Sequence, residues 1–134
     1  MTARTPTTSD ARTIVERYVR EILSGNGPAT AEDLISNDTL RQKDYAFRSA
    51  FPDLRVISQQ LIVDDDLVGL SATGRGTHRG IFQGVPPTGR RWSATCTAIY
   101  RVADGRIADF WINWDLLSIM EQLGAVRRPP GASA

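Results

Sequence analysis

The stretch WSATCTAIYRVADGRIADFWINW, residues 92–114, constrains the fold more than any other. Two strand-like runs flank Asp104-Gly105, a pair that closes tight hairpins because both positions tolerate positive φ. In the first run Trp92, Ala94, Cys96, Ala98 and Tyr100 fall on one face, and Ser93, Thr95, Thr97 and Ile99 on the other. A sheet with one apolar face needs another layer packed on it.

Two more strands precede this hairpin. LRVISQQLIV (54–63) and LVGLSATGRGTHRG (67–80) are separated by a turn at Asp64-Asp65-Asp66, with Val68, Leu70 and Ala72 alternating against Ser71, Thr73 and Arg75. Glycine and proline make 82–91 a loop. Upstream, Ile14, Val15, Tyr18, Val19, Ile22 and Leu23 recur at helical spacing, which predicts a helix over 10–24 stopped by Gly25-Asn26-Gly27-Pro28. Thr30 opens a capping pattern for a second short helix, and Tyr45, Phe47 and Phe51 mark a third helical piece that Pro52 ends. DLLSIMEQLG closes with a last helix. The expected architecture is α+β: a curved antiparallel sheet wrapped around N-terminal helices. One domain spans 10–124, between a lead-in at 1–9 and a flexible tail at 125–134.

A net charge of +1 over 134 residues gives no reason to expect a nucleic-acid partner, and no run approaches the roughly 18 apolar residues of a membrane span. The opening MTARTPTTSD lacks the apolar stretch of a secretory signal, and a lone Cys96 rules out an internal disulfide. The expected setting is cytoplasmic.

The strand run RIADFWINW carries chemistry where a plain core would have Val or Ile. Asp109 sits among Ile107, Phe110 and Trp111, and a carboxylate facing apolar surroundings has a raised pKa suited to proton transfer. It is the first candidate catalytic residue. Trp111 shares its strand parity and is expected to line the same pocket. Trp114 lies at the core or the pocket rim. Asp115 suits an N-cap of the last helix and could border the pocket as well. His78, the one histidine, precedes the glycine-rich loop and is a candidate acid/base. No set of ligands accompanies it at metal-binding spacing. Tyr100 could donate to a developing oxyanion. Tyr45 is expected near the mouth, Thr95 as a hydrogen-bonding partner of a ligand, and Arg75 either beside a pocket carboxylate or as a surface arginine.

GTHRGIFQGVPPTGRR, YRVADGRIADFW, WDLLSIMEQLG and FPDLRV together resemble the SnoaL-like polyketide cyclases, over about residues 10–124. That family shares the cone-shaped α+β fold of nuclear transport factor 2, scytalone dehydratase and limonene epoxide hydrolase. The resemblance implies a deep apolar pocket, no metal or redox cofactor, and an acid on the last long strand as general acid/base, at the position of Asp109. One segment departs from the pattern. LISNDTLRQKDYAFRSAF runs almost directly into FPDLRV, so any polar group that relatives carry there is missing or replaced, with Asn37, Asp38 and Tyr45 as substitutes. The expected function is cofactor-independent ring closure on an apolar polycyclic or aromatic intermediate of natural-product biosynthesis, by general acid/base catalysis of an aldol-type step or of intramolecular epoxide opening, in a homodimer. Epoxide hydrolysis, a ring-hydroxylation role and isomerisation are alternatives within the fold. A non-catalytic binding or dimerisation module is the alternative of another class.

Overall fold

A computed structural model of the protein describes residues 8–127. The elements run α1 (Thr8–Arg17), a π-helical segment (Tyr18–Leu23), α2 (Ala31–Leu34), α3 (Asp38–Ala50), β1 (Arg55–Asp64), β2 (Leu67–Thr77), β3 (Arg91–Ala103), β4 (Arg106–Trp114) and α4 (Leu116–Gln122). The four strands form one antiparallel sheet in the order β1-β2-β3-β4. The fold is α+β, as the hairpin and the helical periodicities require. Most of the expected lead-in and tail lies outside the described residues.

The helices form where capping groups and periodicity agree. The Asp33 carboxylate accepts the Thr30 backbone N–H at 2.7 Å and closes the N-terminus of α2. Asn37 does two jobs: its Oδ1 accepts the Leu40 N–H at 3.1 Å, capping α3, and its Nδ2 donates to the Ala108 carbonyl at 3.0 Å. The start of α3 is thereby tied to β4. The turn after the π-helical segment folds tightly over a buried carboxylate. Glu21 takes the Arg17 guanidinium at 2.8 Å and the Ala29 N–H at 3.1 Å, and a Cβ on Gly27 would sit 2.2 Å from its side chain.

The inner face of β3 reads Trp92, Ala94, Cys96, Ala98, Tyr100, Val102, all buried, and alternates strictly with solvent-facing residues. Against it pack Ala11, Val15 and Tyr18, each without exposed surface. The two outer strands depart from strict alternation. The register slips by one residue between Ser58 and Gln60 in β1, and between Arg101 and Val102 where β3 meets β4. Each slip is a bulge, and bulges bend a strand and sharpen its twist. The bent sheet curls round the helices, and the small side chains Ala72 and Cys96 leave the middle of its concave face unfilled.

Candidate active site

The unfilled space is a cavity of about 490 Å3 between the sheet, α3 and α4. Leu70, Ala72 and Cys96 make its floor, while Phe47, Phe82, Phe110 and Trp114 wall it. The Phe47 and Trp114 rings, both in the cavity lining, stack on each other with centroids 5.0 Å apart. Lys43 and Gln83 border the cavity, as does the exposed Ile81.

One carboxyl group belongs to this apolar space. Asp44 lies on the inner stripe of α3, four residues after the fully buried Leu40 and three before Phe47. Its Oδ2 accepts the Tyr18 hydroxyl at 2.6 Å. The Tyr18 ring meets Tyr100 edge-on, with centroids 5.2 Å apart. Burial pushes the Asp44 carboxyl up to about 7, against the Tyr18 hydrogen bond and the Arg48 charge, both of which favour the carboxylate. Burial, and next the Asp44 charge, push the Tyr18 and Tyr100 phenols up, so both keep their protons. The cavity therefore holds a carboxyl that titrates at neutrality beside two phenols that remain donors.

The candidates read from the sequence disperse. Tyr100 and Trp114 line the cavity. Asp109 does not: it pairs with the Arg101 guanidinium on the outer face of the sheet, its side chain 43% exposed. The reason is the β4 bulge. Ile107 points inward opposite Val102, and strict alternation would send residue 109 inward as well. Ala108 is the extra residue, so the parity flips: Asp109 faces Arg101, and Phe110, beside Tyr100, faces the cavity. Trp111 follows Asp109 outward and is 54% exposed, and Thr95 is exposed on the same face. Arg75 also lies outside the cavity, so it stands between no pair of pocket acids.

His78 is fully buried but away from the cavity lining. Its Nδ1 accepts the Thr88 N–H at 3.2 Å, pinning the 79–90 loop to the end of β2. Asp115 caps α4 by accepting the Ser118 N–H at 3.2 Å. Tyr45 points outward, 77% exposed. Of the substitutes considered for the short segment, Asn37 is a cap and Asp38 pairs with Arg41.

Sequence reasoning passed over Asp44 and Tyr18. A signal existed: Leu40, Asp44, Phe47 and Phe51 recur at helical spacing, and the acid interrupts an otherwise apolar stripe.

The model of the SnoaL-like polyketide cyclases matches residues 7–123. The chain belongs to this family. Among solved structures, IdmH of Streptomyces antibioticus, a candidate polyketide cyclase, is 28% identical with a TM-score of 0.68, covering 85% of this chain and 98% of its own. AclR of Streptomyces galilaeus, a candidate hydroxylase, is 25% identical with a TM-score of 0.69, covering 93% and 87%. A candidate SnoaL-like cyclase from Jannaschia sp. CCS1 has the same fold, with a TM-score of 0.75 at 22% identity, covering 95% and 100%. No curated protein matches in sequence. Within this family fold, the chain puts its cavity acid on α3 and none on the inner face of β4, where Phe110, Ile112 and Trp114 stand.

Proposed function

We propose that this SnoaL-like chain is a cofactor-independent cyclase of natural-product biosynthesis, with Asp44 as its general acid/base. The observation that carries the reading is a buried carboxyl, held by the Tyr18 hydroxyl, in the wall of an apolar, aromatic-sided cavity, where burial raises its pKa. As carboxylate, Asp44 removes a proton next to a substrate carbonyl, and the resulting carbanion attacks a second carbonyl within the same molecule. One C–C bond forms, the new alkoxide takes a proton back, and the substrate's mass is unchanged. Tyr18 fixes the carboxylate through its 2.6 Å hydrogen bond, and the Tyr100 hydroxyl is the donor nearest in chemistry to an oxyanion partner. The Phe47–Trp114 wall suits a flat polycyclic or aromatic intermediate and holds it folded for attack.

A homodimer joined through the outer sheet face and a cytoplasmic setting belong to the same reading. Among the described residues no helix is long and apolar enough to cross a membrane. A second reading, a partner in ring hydroxylation, draws support from the likeness to AclR.

The test uses a panel of aromatic β-keto esters that each carry a separate ketone or aldehyde within ring-closing reach, with ring closure followed by chromatography and mass. Wild type should give a mass-neutral cyclised product, with rate rising through about pH 7 as Asp44 loses its proton. Asp44→Asn should lower the rate by roughly a hundred to ten thousand fold, the usual span of an acid/base step. Asp109→Asn should stay near wild type. Full activity in Asp44→Asn would overturn the assignment, and a collapse confined to Asp109→Asn would return it to β4. Binding without turnover across the panel would favour a non-catalytic module.

A further inference from the structure

Arg75 is left without a role in the cavity, and its surroundings give it another. In the β1–β2 register it stands directly opposite Arg55, and both are exposed on the outer face. Arg20 of the π-helical segment joins them along a groove of about 500 Å3 between that segment and the β1 edge. Ser24, Asn26 and Ser58 also line it. The groove shares only Val56 with the cavity lining.

Like charges facing each other across an antiparallel pair destabilise it. Among the described residues nothing relieves them. Among the described residues neither Arg55 nor Arg75 forms an ion pair. Asp53, two residues from Arg55, is already engaged by the Thr77 N–H and hydroxyl, each at 2.7 Å. The acids of the β1–β2 turn, Asp64 to Asp66, sit at the far end of the strands, roughly 30 Å away at about 3.3 Å per residue. Glu16 is the one carboxylate on the groove wall, and Arg20 leans on Glu21 at 3.4 Å. Three guanidinium groups, one of them shared with Glu21, thus surround an open cleft whose wall carries Glu16, with hydroxyl and amide groups beside them. Guanidinium forks match the oxygens of phosphate two at a time.

We propose that this groove is an anion-binding site that takes a phosphate-bearing small molecule, held by Arg55 and Arg75 with Arg20 at its edge. The site is separate from the catalytic cavity and stands whether or not Asp44 runs a cyclisation. Its volume exceeds what one phosphate fills, so an ester with an organic portion should bind more tightly than the bare ion.

The experiment titrates the full chain with inorganic phosphate, pyrophosphate and phenyl phosphate at fixed ionic strength made up with chloride, by calorimetry and thermal melting. Saturable binding is expected for wild type, weakened about ten-fold or more in Arg55→Gln and in Arg75→Gln, since a charge-assisted contact is lost. Lys43→Gln, which alters the cavity border, should bind as wild type. Melting should show a crossover. Without phosphate, Arg75→Gln melts above wild type because the like-charge pair is gone. With saturating pyrophosphate, wild type melts higher. Phenyl phosphate binding tighter than inorganic phosphate identifies an ester as the ligand class, and equal affinities identify the free anion. Heats and melting points that follow ionic strength alone, or binding equal in the two arginine variants and wild type, overturn the proposal. A change of molecular mass in those variants with no phosphate binding would also overturn it, assigning the arginines to an interface with the acidic turns of a second copy.

Discussion

Burial lifts the Asp44 carboxyl to about 7, so from near pH 4 to near pH 7 the folded chain keeps a proton that the unfolded chain has released. This favours folding at low pH. The contribution is fully present below the unfolded pKa and is lost as pH rises through 7, on the order of 4 kcal/mol in total. Asp44→Asn removes the titration while keeping an acceptor for the Tyr18 hydroxyl. The variant should therefore be more stable than wild type at pH 8, by up to that amount, with the gap closing toward pH 4. Urea unfolding of both proteins across that range checks it, and parallel stability curves would mean that Asp44 is solvated. The same side chain explains why the acid of the cavity was hard to read from sequence. Asp109 has the right neighbours in the string Ile107, Phe110, Trp111, but a one-residue bulge is invisible in alternation, and it reverses which neighbours share a face. Asp44 gave the opposite signal, a polar residue on an apolar helical stripe, and that pattern depends on no register.

At the scale of elements, the hairpin at Asp104-Gly105, the alternation of β3 and the helix caps were legible because each depends on local chemistry. Cavity shape was not, because it depends on how far side chains reach across strands. Gly74 shows this. A Cβ there would lie 2.4 Å from Trp114 of β4, so the indole crosses the floor of β3 and rests on the β2 backbone. Phe47 stacks on that indole, and Trp92 meets it edge-on at 5.8 Å. With its other sides occupied, the ring can yield to a new methyl group only by moving into the cavity. Gly74→Ala should cost about 1–3 kcal/mol as an overpacking change. It should also weaken binding of a flat bicyclic phenol such as 1-naphthol and shift the tryptophan emission. Unchanged emission and affinity would show that the indole has slack, and the aromatic wall would then lose its claim to select flat ligands.

On the whole molecule, the concave face is spent on the helices and the cavity, which leaves the outer face of the sheet to be explained. Ile62, Gly69, Ile99 and Trp111 form one continuous row across all four strands, each in register with the next. The three side chains in this row are 47–72% exposed, and Ile57 adds another exposed apolar group on the same face. A monomer gains nothing from an aligned apolar row of this kind, whereas scattered exposed apolar residues are ordinary. A second copy packed sheet to sheet would bury the row on both subunits at once, as a two-fold interface does, and Gly69 would leave a notch for a partner's side chain. A stable pair buries about 800 Å2 on each partner, which requires most of this face. Ile99 and Trp111 face each other at the middle of the row and away from the cavity, so charging them should separate the subunits without disturbing Asp44. Light scattering at micromolar concentration should give a dimer for wild type and a monomer for the Ile99→Lys, Trp111→Glu double variant, with the activity assigned to Asp44 still measurable. A wild-type monomer would leave the row unexplained by self-association. A double variant that stays dimeric would move the interface elsewhere on the chain.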